Sequence, residues 1–422
     1  MAAGSGRWGD PLDEAFRRQP GLTPLDRAFI SHLVLGVWRW RGRLDWMLSR
    51  ASNRPLRSLS PIVLNVLRLA LYQVLYMDRV PDSAAVNEAV EQVKARGLGR
   101  AAGFVNGLLR TLCRTHREIA FPDPEAAPVR FLAATHAFPE WLAARWLERF
   151  GLEEAGALMA AQNRIPPLDI RVNRLKGTPE ALRKALGVEG VEAVPVEGVP
   201  AALSLSGLRG RVDGLRTFQE GLFQVQDRGA QVAGHLLAPL PGERILDLCS
   251  GHGGKATHLA ELTGDRARVT SLDIHHARLV DLRRTLTRLG LRQVEPVQAD
   301  GTRGLDRLFR TTFDAVLVDA PCSGLGVLRR HPDGKWNRSE ADLPRLAALQ
   351  KALVLQGAQR LRPGGRLLFV TCTVAGEENE GVVENVLQER PDLSLARLDE
   401  GAPPWARRFV DDRGLFRTLP HI

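Results

Sequence analysis

The 422-residue chain is poor in cysteine: it has four, Cys113, Cys249, Cys322 and Cys372, and no C-x-x-C pair. That excludes a disulfide framework and argues against a structural zinc site, so no metal is expected. No uninterrupted apolar run reaches about 18 residues, the length a membrane-spanning helix needs. The most apolar stretch, P-I-V-L-N-V-L-R-L-A-L-Y-Q-V-L-Y-M (61–77), is broken by Asn65, Arg68 and Gln73. The opening M-A-A-G-S-G-R-W-G-D-P lacks the apolar core of a signal peptide. A cytoplasmic protein without a membrane partner is expected. Lysine is scarce as well, with six among 58 basic residues. The net charge of +10 suits a polyanionic partner such as nucleic acid. An arginine excess with abundant alanine, glycine and leucine is also what a GC-rich genome writes, so charge alone does not decide.

Residues 24–118 read as helices. Leu33, Val37, Trp40 and Leu44 recur at i, i+4, i+7 and i+11, one helical stripe. Ile62, Val63, Val66, Leu67, Ala70, Leu71, Val74 and Leu75 form a broader stripe, the face of a buried bundle helix. No strand signal interrupts, and residues 1–125 are read as an all-α domain. F-P-D-P-E-A-A-P (121–128) marks a linker. Two more helices and then a small α+β subdomain fill 126–235. Its strands are L-D-I-R-V-N, V-E-A-V-P-V and A-L-S-L-S, with a helix capped by Thr178 and opened by Pro179. Residues 236–422 alternate: strand-like runs at 244–249, 269–274, 294–300, 313–320 and 366–373 are separated by helical patterns. Such alternation predicts an α/β domain with a parallel, Rossmann-like sheet.

Ligands bind such sheets beyond the carboxyl ends of the strands. The first strand offers Asp247 and Cys249 there, then the loop S-G-H-G-G-K (250–255). The second ends in Asp273, the third in Asp300, the fourth in Asp319 followed by Cys322, the fifth in Cys372. An acid or a thiol stands at every one of five strand ends, and this regularity points to a site. The loop is not a phosphate-binding P-loop, because Cys249 and Ala256 occupy positions that need Gly and Ser or Thr. It does open a helix whose N-terminus favours an anionic group. S-adenosylmethionine fits, with its carboxylate at the loop, its ribose diol at Asp273 and its adenine amino group at Asp300.

Two thiols then make sense as chemistry. Carbon 5 of a pyrimidine is a poor nucleophile until a thiolate adds at carbon 6. After methylation a second group must help the first thiol leave. Asp319, protonated, would donate a hydrogen bond to N3 of cytosine and disfavour uracil. Spacing does not say which cysteine attacks. Cys113, within a helical pattern, is read as a small buried hydrophobe.

At these residues the chain resembles the RsmB (Sun/Fmu) family of 16S ribosomal RNA cytosine-5 methyltransferases. The likeness lies in D-A-P-C-S-G-L-G-V-L-R-R-H-P-D-G-K-W (319–336), V-T-C-T (370–373) and L-D-L-C-S-G-H-G-G-K (246–255). Residues 26–40 and 84–90 resemble the family's NusB-like helical domain, and 223–231 the lead into its catalytic domain. The resemblance implies that Cys372 attacks and Cys322 assists release. It further implies that Cys249, Ser250, Gly251, His252, Gly253, Gly254, Lys255, Asp273, Asp300 and Asp319 bind the cofactor or line its pocket, with His252 more a space-filler than a ligand. RNA contact is implied for the helical domain and the α+β subdomain, and a monomer is expected. The family's loop usually reads A-A-P-G-G-K, where this chain has Ser250, Gly251 and His252. Its terminal D-G-F-F hairpin has no full counterpart here, so the last strand of the sheet is expected to be missing.

Two other readings stay open. A nicotinamide oxidoreductase would account for the loop and Asp273 but leaves both strand-end thiols unexplained. A catalytically silent RNA-binding or assembly protein would suit the helical domain and the altered loop.

Overall fold

The computed structural model describes residues 9–398 and 403–421. The chain divides into two compact units. One contains the residues up to Ile165 together with Val327–Glu340 and His421; the other contains Pro166–Gly326 and Ala341–Pro420.

The first unit is helical: α1 (Gly9–Arg18), α2 (Pro24–Ala51), α3 (Pro61–Tyr76), α4 (Asp82–Ala95), α5 (Ala102–Thr115), α6 (Pro128–His136) and α7 (Glu140–Gln162). Capping explains the starts of the longest ones. Thr23 and Asp26 form a reciprocal capping box at α2, and the Ser60 hydroxyl accepts from the Val63 N–H at α3, each followed by proline at the first helical position. The core is built from Leu44 and Leu48 of α2, Val66, Leu67 and Leu71 of α3, Val93 of α4, and Leu109 and Leu112 of α5. Leu33, Val37 and Trp40 line its edge, as their spacing predicts. Ile62 departs from its predicted stripe and is exposed, because it lies one position round the helix from the buried Val63.

The second unit begins with a four-stranded sheet: β1 (Leu168–Val172), α8 (Pro179–Val188), β2 (Glu192–Pro195), β3 (Ala202–Ser206), α9 (Arg216–Gln219) and β4 (Phe223–Val225). Its antiparallel order is β2-β3-β1-β4, the ferredoxin-like βαββαβ arrangement. The Thr178 hydroxyl caps α8, with Pro179 at its first position. Then follow α10 (Arg228–Leu237), β5 (Arg244–Asp247), α11 (Gly254–Leu262), β6 (Arg268–Asp273), α12 (His276–Leu289), β7 (Val294–Gln298), α13 (Leu305–Leu308), β8 (Phe313–Asp319), α14 (Gly334–Asn337), α15 (Asp342–Gln359), β9 (Leu361–Val370) and α16 (Glu380–Glu389). Of these, α14 lies in the segment that packs with the first unit.

Strands β5 to β9 form one parallel sheet of order β7-β6-β5-β8-β9. Alternate residues of its strands enter two apolar layers: Ile245, Ala315 and Leu317 in one, Leu246, Val316 and Val318 in the other. This is the doubly covered parallel sheet that strand–helix alternation predicts. Among the described residues the sheet ends at β9, and a single antiparallel bridge, Val410 to Phe416, follows it.

Candidate active site

Parallel strands share one carboxyl end, and β5 lies at the point where the strand order reverses. Asp247, Asp273 and Asp319 are the last residues of β5, β6 and β8, while Asp300 and Cys372 follow the ends of β7 and β9 by two residues. These residues therefore stand at one end of the sheet, as the strand assignments predict.

Register explains the closest meeting. Asp319 pairs with Val370 across adjacent strands, so the loops that leave them start side by side. Cys322 stands three residues beyond one partner and Cys372 two beyond the other, and their Sγ atoms are 3.2 Å apart. The Cys372 N–H also points at Cys322 Sγ, at 3.3 Å. Cys372 is exposed and Cys322 half-buried. The hydrogen bond with Cys372, then burial, pushes the Cys322 thiol well above its ordinary pKa. Cys249 is also raised well above its ordinary value, by burial and then by Asp247 and Asp319. In this arrangement both are held as thiols. Cys113 is half-buried at the edge of the helical core.

Residues that the sequence did not single out fasten the two thiol loops. The Ser323 hydroxyl meets that of Thr373 at 2.7 Å, so the residues after the two cysteines are tied to each other. Glu378 is fully buried and accepts from the Ser323 N–H and the Gln350 amide, both at 2.8 Å. Gln350 donates as well to the Pro321 carbonyl. The Asn379 amide holds the carbonyls of Thr373 and Ala375. Gly326 donates to the Cys372 carbonyl at 2.9 Å, and a Cβ there would stand 2.9 Å from that oxygen. Only glycine lets the loops approach so closely. These partners lie up to 55 residues apart in sequence, and no local spacing signals them.

On the other side of the rim, Lys255 donates to Asp319. Burial opposes the lysine charge, but Asp319, Asp247 and Cys372 outweigh it and raise its pKa. Asp247 is buried, with one oxygen accepting from the Cys249 N–H and the other without a partner. Burial, reinforced by Asp319, lifts its pKa to about 7. Asp273 accepts from the N–H groups of Gly251 (3.0 Å) and His275 (2.7 Å) and from Arg278 (3.4 Å). Asp300 accepts from Thr302 and Arg303; burial opposes its charge, but these partners hold its pKa below the usual carboxylate value. His252 is exposed and faces Asp281 at 3.4 Å.

Gly251 and Gly253 have positive φ, and a Cβ on Gly253 would strike Leu282 at 2.1 Å. The Ser250 hydroxyl is buried with no partner. An orphaned donor, a helix N-terminus and a carboxylate at the next strand fit a ligand with a carboxylate and a ribose diol, as S-adenosylmethionine has. Among the described residues no group of three or more His, Cys, Asp or Glu is disposed to hold a metal, and no helix is long and apolar enough to cross a membrane.

The order of its parallel sheet puts the part of the chain from β5 onward in the Rossmann-like class. Residues 234–421 match the family described as 16S rRNA methyltransferase RsmB/F, residues 7–114 the NusB family, and residues 138–209 the ferredoxin-like domain of RsmF/B-like methyltransferases. The chain is 35% identical over 401 residues to the probable ribosomal RNA small subunit methyltransferase B of Bacillus subtilis, covering 95% of this chain and 88% of that one. To the corresponding protein of Synechocystis it is 36% identical, covering 97% and 91%. A crystal structure described as that of PH0851 aligns with a TM-score of 0.79 at 27% identity, over 97% of this chain and 90% of that one. The chain belongs to the RsmB/F family of 16S rRNA methyltransferases, and it is an enzyme of that methyltransferase class.

Proposed function

We propose that the protein methylates carbon 5 of a cytosine in 16S ribosomal RNA, through a covalent adduct with Cys372 and with S-adenosylmethionine as donor. The observation that carries this reading is the pair of sulfurs 3.2 Å apart at the ends of adjacent strands, beside the Lys255–Asp319 ion pair. Residues 249–255, Asp273 and Asp300 would hold the cofactor, which supplies an electrophilic methyl group when bound. The helical residues 1–125 and the subdomain within 126–235 would hold the RNA. The setting is cytoplasmic, and we take the acting form to be a single chain.

Each residue then has a task. With Cys322 as the donor of the pair, its thiol favours Cys372 as thiolate, and the Lys255 ammonium brings positive charge to the same place. The target base leaves its stack to enter the pocket. Cys372 adds to carbon 6, breaking the 5,6 double bond, and the electron pair moves toward N3. Asp319 relays a proton from Lys255 to N3. Carbon 5, now enamine-like, takes the methyl group. With Cys372 bonded to carbon, the negative partner that held the proton of Cys322 is gone. Cys322 loses that proton to water, removes the proton on carbon 5, and the carbon–sulfur bond to Cys372 breaks as the double bond re-forms, while the N3 proton returns through Asp319 to Lys255.

Two substitutions test the scheme with 16S rRNA and labelled cofactor. Cys372→Ser is expected to abolish methyl transfer. Cys322→Ala is expected to leave protein joined to RNA, seen as a slow band on a denaturing gel. Free, unmethylated RNA with both variants would overturn the two-thiol scheme. Tight RNA binding by the wild type with no methyl transfer would instead favour a silent binding protein.

A further inference from the structure

The sequence D-I-R-V-N (169–173) along β1 is buried on both faces. Ile170 and Val172 enter the apolar core of the ferredoxin-like subdomain. The alternate residues Asp169, Arg171 and Asn173 are polar and equally buried. Burying a polar face is costly unless every group on it is bonded. Here many of the partners come from beyond the subdomain's own strands, from α10, α11 and α12. Asp169 takes a bidentate pair from Arg228 of α10, at 2.7 and 3.0 Å. The Asn173 amide donates to the carbonyl of Leu289, the last residue of α12, at 2.9 Å.

Arg171 goes further. All five of its N–H donors are used: two on the Glu261 carboxylate (2.8 and 2.9 Å), one on the Thr257 hydroxyl (3.0 Å), one on the Gly254 carbonyl (2.8 Å) and one on Gln226. Gly254 is the first residue of α11 and part of the glycine loop. The Thr257 hydroxyl and backbone N–H both donate in turn to the Gly253 carbonyl, at 2.8 and 2.9 Å. So the carbonyls of two successive loop residues are held, one by Arg171 directly and one through Thr257. A trans peptide is planar, with its N–H opposite its carbonyl. Holding the carbonyls of Gly253 and Gly254 therefore sets the direction of the N–H groups of Gly254 and Lys255. Those are free donors at a helix N-terminus, where an anionic group binds.

We propose that Arg171 is a positioning residue for the cofactor: reaching from the ferredoxin-like subdomain, it aims the loop N–H groups at the carboxylate of S-adenosylmethionine. The subdomain is then part of the cofactor site's scaffold as well as a surface for RNA. This rests on the reading that the loop 249–255 binds that cofactor.

The test is calorimetric titration of the full-length protein with S-adenosylmethionine, with no RNA and no turnover. Arg171→Lys keeps the charge but has three donors in place of five. Thr257→Val is a second, milder variant: it removes the hydroxyl through which Arg171 reaches Gly253, leaves the backbone bond in place, and decides the matter if Arg171→Lys does not fold. Arg228→Gln is the control: it breaks a pair on the same face of the same strand but touches no loop residue. We expect Kd to rise about tenfold in the first two, as when an orienting partner is removed, and to stay unchanged in the control. Wild-type affinity in Arg171→Lys and Thr257→Val, both shown folded by circular dichroism, would overturn the positioning role alone. An equal loss in Arg228→Gln would overturn it too, since docking in general would then be responsible. If the wild type does not bind the cofactor, the reading of the loop falls first and the proposal with it.

Discussion

Asp247 carries the strongest pH signature at the scale of single residues. It has one unpartnered oxygen, no cation bonded to it directly, and a pKa lifted from 3.8 to about 7 by burial and then by Asp319. The folded protein thus holds a proton that the unfolded chain would release near pH 4. The stability linked to that proton is full below the unfolded pKa and is lost as pH rises through the folded value. The shift corresponds to roughly 4 kcal/mol at its limit. Asp247→Asn is neutral at every pH and lacks this dependence. The melting temperature of the variant minus that of the wild type should therefore climb from pH 4 to pH 7 and level off above. A difference that stays flat across that range, measured by circular dichroism in matched buffers, would show that Asp247 is ionised throughout.

At the scale of elements, close approach decides more than propensity. Gly36 lies in the middle of α2, and a Cβ there would stand 2.0 Å from the Tyr72 ring of α3. Tyr72 is in turn held by its hydroxyl to His32 at 3.0 Å. Alanine would favour the helix by up to about 1 kcal/mol, while overpacking costs about 1–3 kcal/mol. The clash is severe enough that the second term should win. Gly36→Ala is expected to lower the denaturant midpoint, and the double variant Gly36→Ala/Tyr72→Leu to recover part of the loss. A single variant more stable than the wild type would mean that α2 and α3 separate at no cost.

Legibility follows the same division. The helical stripe of α2, the cap at Thr178 and the strands ending in Asp247, Asp273 and Asp319 are local patterns, and they could be read from spacing alone. That Cys322 and Cys372 stand at the ends of successive strands was legible too, but the register that brings their sulfurs together shows only in the structure. Glu378, Gln350 and Arg171 could not be found at all. Each is an ordinary polar residue in its own stretch and gains meaning from partners 28 to 90 residues away. The alternation Asp169, Arg171, Asn173 was visible, but polar residues at every second strand position usually mark a face in water. Only the structure shows that this face is buried.

For the molecule as a whole, the path of the chain is the least expected feature. Val327–Glu340 leaves the loop that follows Cys322 and packs with the helical unit. Lys335 is its anchor. It is completely buried, and its three N–H donors meet the carbonyls of Arg39 and Ala137 and the side-chain oxygen of Asn163. Ala137 and Asn163 cap the C-terminal ends of α6 and α7, where helix dipoles favour a cation. The Phe138 ring lies 3.8 Å from the ammonium, and the Trp336 indole donates to the Trp38 carbonyl at 2.8 Å. Burial, with Arg39 nearby, pushes the lysine pKa well down, so this seat is tenable only while all three acceptors are present. A fragment starting at Pro166 lacks every one of them. In that fragment the segment should be open to trypsin at Arg329, Arg330, Lys335 and Arg338, while in the full chain Lys335 should resist. Limited proteolysis with mass mapping of the cut sites checks this. Equal resistance at Lys335 in both proteins would mean that the segment holds its shape without the helices.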